Sequence, residues 1–164
     1  MRETGYNNAA AVQYAQRWAT SRNPDFYDYS EIGGDCTSFA SQCVYAGCGI
    51  MNYTPTFGWY YISPNNKSPS WSGVQYFYNF MTTNDGAGPY AEEAPLDALV
   101  PGDIIQLARN NSFYHTLVLT MIKYDGGERE YYVSAHDVDA YRRNLATYSY
   151  ETLRGIHILG ARRQ

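Results

Sequence analysis

The hydrophobic residues of this chain change period once. In the first half they recur at spacings of three and four, as on one face of a helix, and in the second they alternate in twos, as on one face of a strand. The changeover lies in the turn-rich stretch "NDGAGPYAEEAPLDALVPGD", residues 84–103. Helices followed by an antiparallel meander define an α+β domain in which the sheet packs against a helix from the first half. At 164 residues the chain is expected to form a single domain, 1–164, with a substantial core.

The local signals place the elements. "NNAAAVQYAQRWATSRN" reads as a helix capped by Asn7 or Asn8, with Ala11, Val12, Ala15, Trp18 and Ala19 on one stripe. After Gly33-Gly34, Asp35 has the residue type of an N-cap for a second helix from Cys36 to about Ala46, which Gly47 and Gly49 stop. A third helix follows a cap at Ser70, with Trp71, Val74, Phe77, Tyr78 and Met81 on its apolar face. The aperiodic stretch from Asn52 to Pro69 is expected to run over the surface and to wall a substrate groove, to which Trp59, Trp71 and Tyr29 are assigned. Four or more strands are expected in the second half: Asp103 to Ala108, His115 to Tyr124, Glu130 to His136 and Gly155 to Ala161, with a turn at Asp125-Gly126-Gly127.

Composition excludes several function classes. A formal charge of -4 and a pI near 5.3 argue against nucleic acid, whose phosphates require a concentrated basic surface. No apolar run reaches the length of a membrane span, and "MRETGYNNAA" lacks the apolar stretch of a signal peptide. A soluble monomer is expected, in a compartment the residues do not specify. Eighteen tyrosines are more than a core of this size needs, so some are expected on a groove or an exposed face.

The block "GGDCTSFASQCVYAGCG", residues 33–49, holds all three cysteines. Their spacing matches no structural zinc pattern, and an odd count leaves at least one thiol unpaired. With no phosphate-cradling glycine loop either, neither a metal nor a cofactor is expected. On a helix Cys43 lies two turns along the inward stripe from Cys36 and reads as a small core residue. Cys36 sits in the first turn, where unpaired N–H groups and the helix dipole favour a thiolate, so it is the candidate nucleophile.

A nucleophilic thiol needs a base, and the chain has three histidines. His115 opens the strand "HTLVLTMIKY" after a polar loop and is the candidate base. A hairpin turning at Gly126-Gly127 would place His115 opposite Val138, bring His136 onto the same face as His115 and point Asp137 away; a one-residue bulge reverses the last two. His136 is therefore the first choice for a third member, with Asp137 and Asp139 as alternatives. His157 reads as a strand or core histidine without an acid beside it. Asp35 reads as the N-cap, or as a neighbour of an oxyanion site if its carboxylate turns away.

Six blocks in order carry a resemblance: "YNNAAAVQYAQRWA", "GGDCTSFASQCVYAGCG", "SWSGVQYFYNFM", "LVPGDIIQL", "HTLVLT" and "VSAHDVD". The chain resembles the putative amidase domain family of bacteria, in the papain-like group with the CHAP amidases and NlpC-type cell-wall peptidases. The resemblance implies a papain-like fold, Cys36 as nucleophile, His115 as general base and then acid, and a polar third member on the following strand. It implies a cysteine-dependent amide hydrolase acting on a peptide or peptidoglycan-like substrate. The alternatives are an acyltransferase on the same site and a non-catalytic cell-wall or glycan-binding module.

Overall fold

The computed structural model describes residues 1–164. Helix α1 (Asn8–Trp18) begins where Asn7 Oδ1 accepts the Ala10 N–H at 3.0 Å, which satisfies one of the unpaired donors of its first turn. Helix α2 runs Cys36–Cys48, slightly past the expected Ala46, and stops at Gly49, whose left-handed φ of 69° lets its N–H reach the Tyr45 carbonyl. The expected third helix is broken at Gly73 into α3 (Pro69–Ser72) and α4 (Val74–Thr83). Its cap position is Ser68 rather than Ser70: Pro69, with no N–H to leave unpaired, takes the first helical position, and the Ser70 hydroxyl donates instead to the Gly58 carbonyl at 2.6 Å.

The four expected strands are present as β5 (Ile104–Arg109), β6 (Ser112–Asp125), β7 (Glu128–Ala135) and β9 (Thr152–Arg163). Three more join the same sheet: β1 (Arg2–Glu3), β4 (Gly88–Ala94) and β8 (Ala140–Asn144). The order is β1-β9-β5-β6-β7-β8, with β4 also on β9, and every pairing is antiparallel. A separate hairpin pairs β2 (Tyr61–Ser63) with β3 (Asn66–Lys67). Strand β4 carries Gly88-Pro89 and Glu92-Glu93, poor strand residues that an edge position tolerates because one side of the strand pairs with nothing.

Alternation along the strands divides the apolar residues between two cores. Ile104, Val118, Ile156 and Ile158 meet Phe39, Ala40 and Cys43 of α2, with Phe77 and Met81 of α4 behind them. On the other face Ile105, Leu107, Leu117, Leu119 and Val133 pack under Leu99 and Leu145. A fully buried side chain of this size contributes about 1.5–3 kcal/mol, so the larger helix-side core is what fixes α2 to the sheet. Trp59 and Trp71 belong to that core and are completely buried, with ring centroids 4.8 Å apart. Their assignment to a substrate groove is therefore corrected: the indole of Trp59 donates to Ser41 Oγ at 3.1 Å, inside the protein.

The β6–β7 register decides what surrounds the start of β6. Near the turn, Met121 pairs with Tyr132 and Lys123 with Glu130, as expected for a turn at Gly126-Gly127. A bulge between Leu119 and Met121 then shifts the ladder by one residue, so that Leu119 pairs with Val133 and Val118 with Ser134. The ladder ends at Val118 and Ser134; counted on into the turn after β7, the same register would bring Thr116 level with His136 and His115 level with Asp137.

Candidate active site

The start of α2 lies against the start of β6. Thr37 and Thr116 share a hydrogen bond between their hydroxyls at 2.8 Å, and the Thr116 backbone N–H donates to the Cys36 sulfur. The residue after His115 therefore touches both Cys36 and its neighbour. The Thr37 hydroxyl lies 3.7 Å from Cys36 Sγ. The first hydrogen bond of the helix runs from the Phe39 N–H to the Asp35 carbonyl at 2.9 Å, so the N–H groups of Cys36, Thr37 and Ser38 precede the helical ladder.

Two opposed effects act on the thiol. Burial raises the Cys36 thiol above its ordinary value, while hydrogen bonds from the Thr116 N–H and the Thr37 hydroxyl lower it and the charge of Asp137 raises it again. The net direction is upward, so burial outweighs the expected preference for a thiolate. His115 is likewise nearly buried, between the rings of Tyr114 at 6.1 Å and Tyr148 at 6.0 Å. Burial lowers its imidazole below the ordinary value, Asp137 opposes that, and Arg143 adds to it. At neutral pH both groups are thus uncharged, and the charge of Asp137 acts on each of them.

The expected face assignments of the third-member candidates are corrected by the bulge. His136 lies with Thr116 on the helix side of the sheet, stacked on Phe39 with ring centroids 4.0 Å apart. Its Nδ1 is 2.6 Å from Asp35 Oδ2 and its Nε2 is 2.7 Å from the Trp18 carbonyl. Both ring nitrogens face oxygens, and the side chain is completely enclosed. Asp35 occupies the N-cap position without capping: its carboxylate turns back to accept the Tyr29 N–H at 2.9 Å and to pair with His136. The two form a buried brace, well suited to holding the loop before Cys36 onto the sheet.

Asp137, expected to point away, is the acid level with His115. Its Oδ2 accepts the Asp35 N–H at 3.0 Å, and its Oδ1 accepts the Ser30 hydroxyl at 2.7 Å and an Arg22 N–H at 3.3 Å. Asp139 is not brought to the thiol; both its oxygens accept from Arg22 at 2.9 Å. Arg22 also pairs with Asp28 at 3.2 Å and stands 3.8 Å from Asp35, so one guanidinium joins the loop before α2 to the loop after β7. Nothing local in "SRNP" marks that role, because every carboxylate but Asp28 is remote in sequence or reached through the fold.

The remaining candidates have structural partners. His157, read as having no acid beside it, has one: Nδ1 is 2.7 Å from Asp103 Oδ2, and Asp103 Oδ1 accepts the Ile158 N–H at 3.0 Å. Gly102 holds φ at 100°, and a Cβ there would lie 2.8 Å from Asn8 Nδ2, so the turn into β5 presses on the start of α1. Cys43 is a fully buried core residue, as expected. Cys48 is half-buried and its thiol donates to the Ile50 carbonyl at 3.5 Å, and all three cysteines are free. Tyr29 is largely buried, and its exposed edge lines a cavity beside Gly33 and Gly34. No group of three or more potential metal ligands occurs, and no helix is long and apolar enough to cross a membrane.

Over 119 residues the chain is 32% identical to a protein of Bacillus subtilis (strain 168) called "Uncharacterized protein YhbB", covering 70% of this chain. The match spans only 37% of the length of that relative. No solved structure matches the chain. A family model described as "Putative amidase domain" matches residues 5–159, nearly the whole α+β unit from the approach to α1 into β9, and the chain belongs to that family.

Proposed function

We propose that this domain is a cysteine-dependent amide hydrolase of the papain-like group, with Cys36 as nucleophile, His115 as proton carrier and Asp137 as the acid that supports it. The observation that carries the reading is the junction of α2 and β6, where the Thr116 N–H meets the Cys36 sulfur one residue from His115 and Asp137 acts on both. Catalysis starts from the neutral pair. The Cys36 proton passes to His115 as the sulfur bonds to the carbonyl carbon, and the carbonyl electron pair moves to oxygen. In this reading the N–H groups at the start of α2 receive that oxyanion. Collapse breaks the C–N bond, and His115 returns its proton to the leaving amine. Water then gives a proton to His115 and attacks the thioester, releasing a carboxylic acid and restoring the thiol.

The substrate proposed is a peptide amide of the bacterial cell wall. Incubation with purified peptidoglycan, followed by mass spectrometry of soluble products and counting of new amino groups, should show release by the wild type and none by Cys36→Ala at equal Tm. Turnover persisting in that variant sinks the mechanism. An acyltransferase would share every step up to the thioester and is recognised by product mass increased by an added amine.

A further inference from the structure

A second feature adjoins the start of α2. The loop of residues 27–34 and the β2–β3 hairpin enclose an open cavity of about 490 Å³, whose walls include Tyr27, Tyr29, Gly33, Gly34, Pro64 and Lys67. It begins two residues before Cys36. The walls are fixed to one another: the Tyr29 hydroxyl donates to the Pro64 carbonyl at 2.8 Å, and the Tyr27 N–H donates to the Tyr61 hydroxyl at 2.9 Å. Tyr29 also accepts the N–H groups of Ile32 and Gly34 on its carbonyl, at 2.9 and 3.0 Å, which sets the Gly33-Gly34 backbone. With φ of 83° and 98°, and with nothing within 4 Å of a Cβ built on Gly33 and only Asp137 Oδ2, at 3.7 Å, near one built on Gly34, the two glycines leave a bare strip of main chain along which an extended ligand can lie.

Lys67 is the only charged residue of this cavity. It is half-buried, with Nζ 4.9 Å from the centre of the Tyr29 ring, and burial lowers its ammonium below the ordinary value. It has no carboxylate partner. Every ion pair in the protein is made by Arg22, Arg162, His136 or His157, and the nearby Asp28 is committed to Arg22 and Ser30. An ammonium that loses hydration without gaining a counter-ion is stabilised when a ligand brings one.

We propose that this cavity is the specificity subsite of the domain and that Lys67 receives a carboxylate of the substrate, which lies along Gly33-Gly34 with its scissile amide at Cys36. The assignment deepens the amide-hydrolase reading and rests on it for the location of the scissile bond. The carboxylate comes either from an acidic side chain or from a chain terminus, and the same ammonium serves both.

The test reads binding without turnover. Isotope-labelled Cys36→Ala protein is titrated with acetyl-Ala-Glu-Ala-amide, its Gln twin, and the Gln twin with a free carboxyl terminus, following the Gly33 and Gly34 amide signals. At least one carboxylate-bearing peptide is expected to bind about fivefold or more tightly than the neutral twin, as for a partly screened ion pair. Which one does so identifies the source of the carboxylate. Adding Lys67→Met, which keeps the apolar stem, should abolish that preference, and Lys67→Glu should invert it toward acetyl-Ala-Lys-Ala-amide. Equal affinity for all three peptides, no binding by any of them, or a preference surviving Lys67→Met overturns the subsite. Hydrolysis by wild type and Cys36→Ala is scored separately, so loss of the reaction reading and loss of the subsite give different results.

Discussion

Replacing His136 with Phe separates a brace from a catalytic group. Phenylalanine keeps a planar ring against Phe39 but removes both nitrogens, leaving the Asp35 carboxylate with the Tyr29 N–H and a guanidinium 3.8 Å away. Both partners of the lost pair are almost wholly enclosed. Taking its hydrogen-bond partner from a buried carboxylate costs about 3–5 kcal/mol, since the carboxylate keeps its desolvation penalty. In a domain of this size 1 kcal/mol moves Tm by about 2–4 °C, so His136→Phe should melt about 6–20 °C below wild type. The assay is a thermal melt by circular dichroism, followed by amide hydrolysis at a temperature where both proteins are fully folded. There the variant should keep kcat within about threefold, because His136 lies on the far face of the strand from His115. A melting point within 2 °C of wild type would show that Asp35 does not need the histidine. A folded variant with a large loss of kcat would place His136 in the reaction and refute the register reasoning.

Three further expectations follow from the same site. The pH profile of kcat/KM should be a broad plateau: activity falls on the acid side as His115 gains a proton, below its ordinary 6.5, and on the alkaline side as the Cys36 thiol ionises, above its ordinary 9.0. An acid limb centred above 6.5 contradicts the burial reading. Asp137→Asn removes the charge that raises both groups, so both limbs should move to lower pH and kcat/KM should fall about 10- to 100-fold; an acid limb moving upward would reject Asp137 as the supporting acid. Gly102→Ala forces a side chain onto a backbone with φ of 100° and within 3.1 Å of Asn8 Cα, and should cost about 1–3 kcal/mol in urea denaturation, whereas an unchanged midpoint would mean that the α1–β5 contact yields freely.

What could be read without coordinates was whatever depends on neighbours along the chain. Asn7 and Gly49 bound their helices because capping chemistry acts within one turn, and the inward stripe of α2 follows from helical spacing alone. Gly73 was missed as a break because one glycine inside an apolar period does not interrupt the period. β4 and β8 were missed because "GPYAEEA" and "AYRRN" acquire strand character from their neighbours rather than from alternation. At the site, Cys36 and His115 were legible as residue types in suitable places. Their partners were not, since Asp35 meets His136 across 101 positions and Asp103 meets His157 across 54. Trp59 and Trp71 show the reverse error: a stretch full of Pro, Asn and Ser looks like surface, yet its large rings turn inward to complete the core under α2.

The bulge in β6 makes the surroundings of the thiol a matter of parity. His136 and Asp137 are adjacent, and a strand sends neighbours to opposite faces, so an even or odd number of residues between the hairpin turn and His115 decides which of the two shares its side. Drawing Thr120 into the ladder would leave the sequence intact and exchange Asp137 for His136 beside His115, whereas deleting Thr120 would close the bulge and keep the present register. A single unpaired residue in the hairpin thus decides which of two adjacent side chains stands beside the proton carrier.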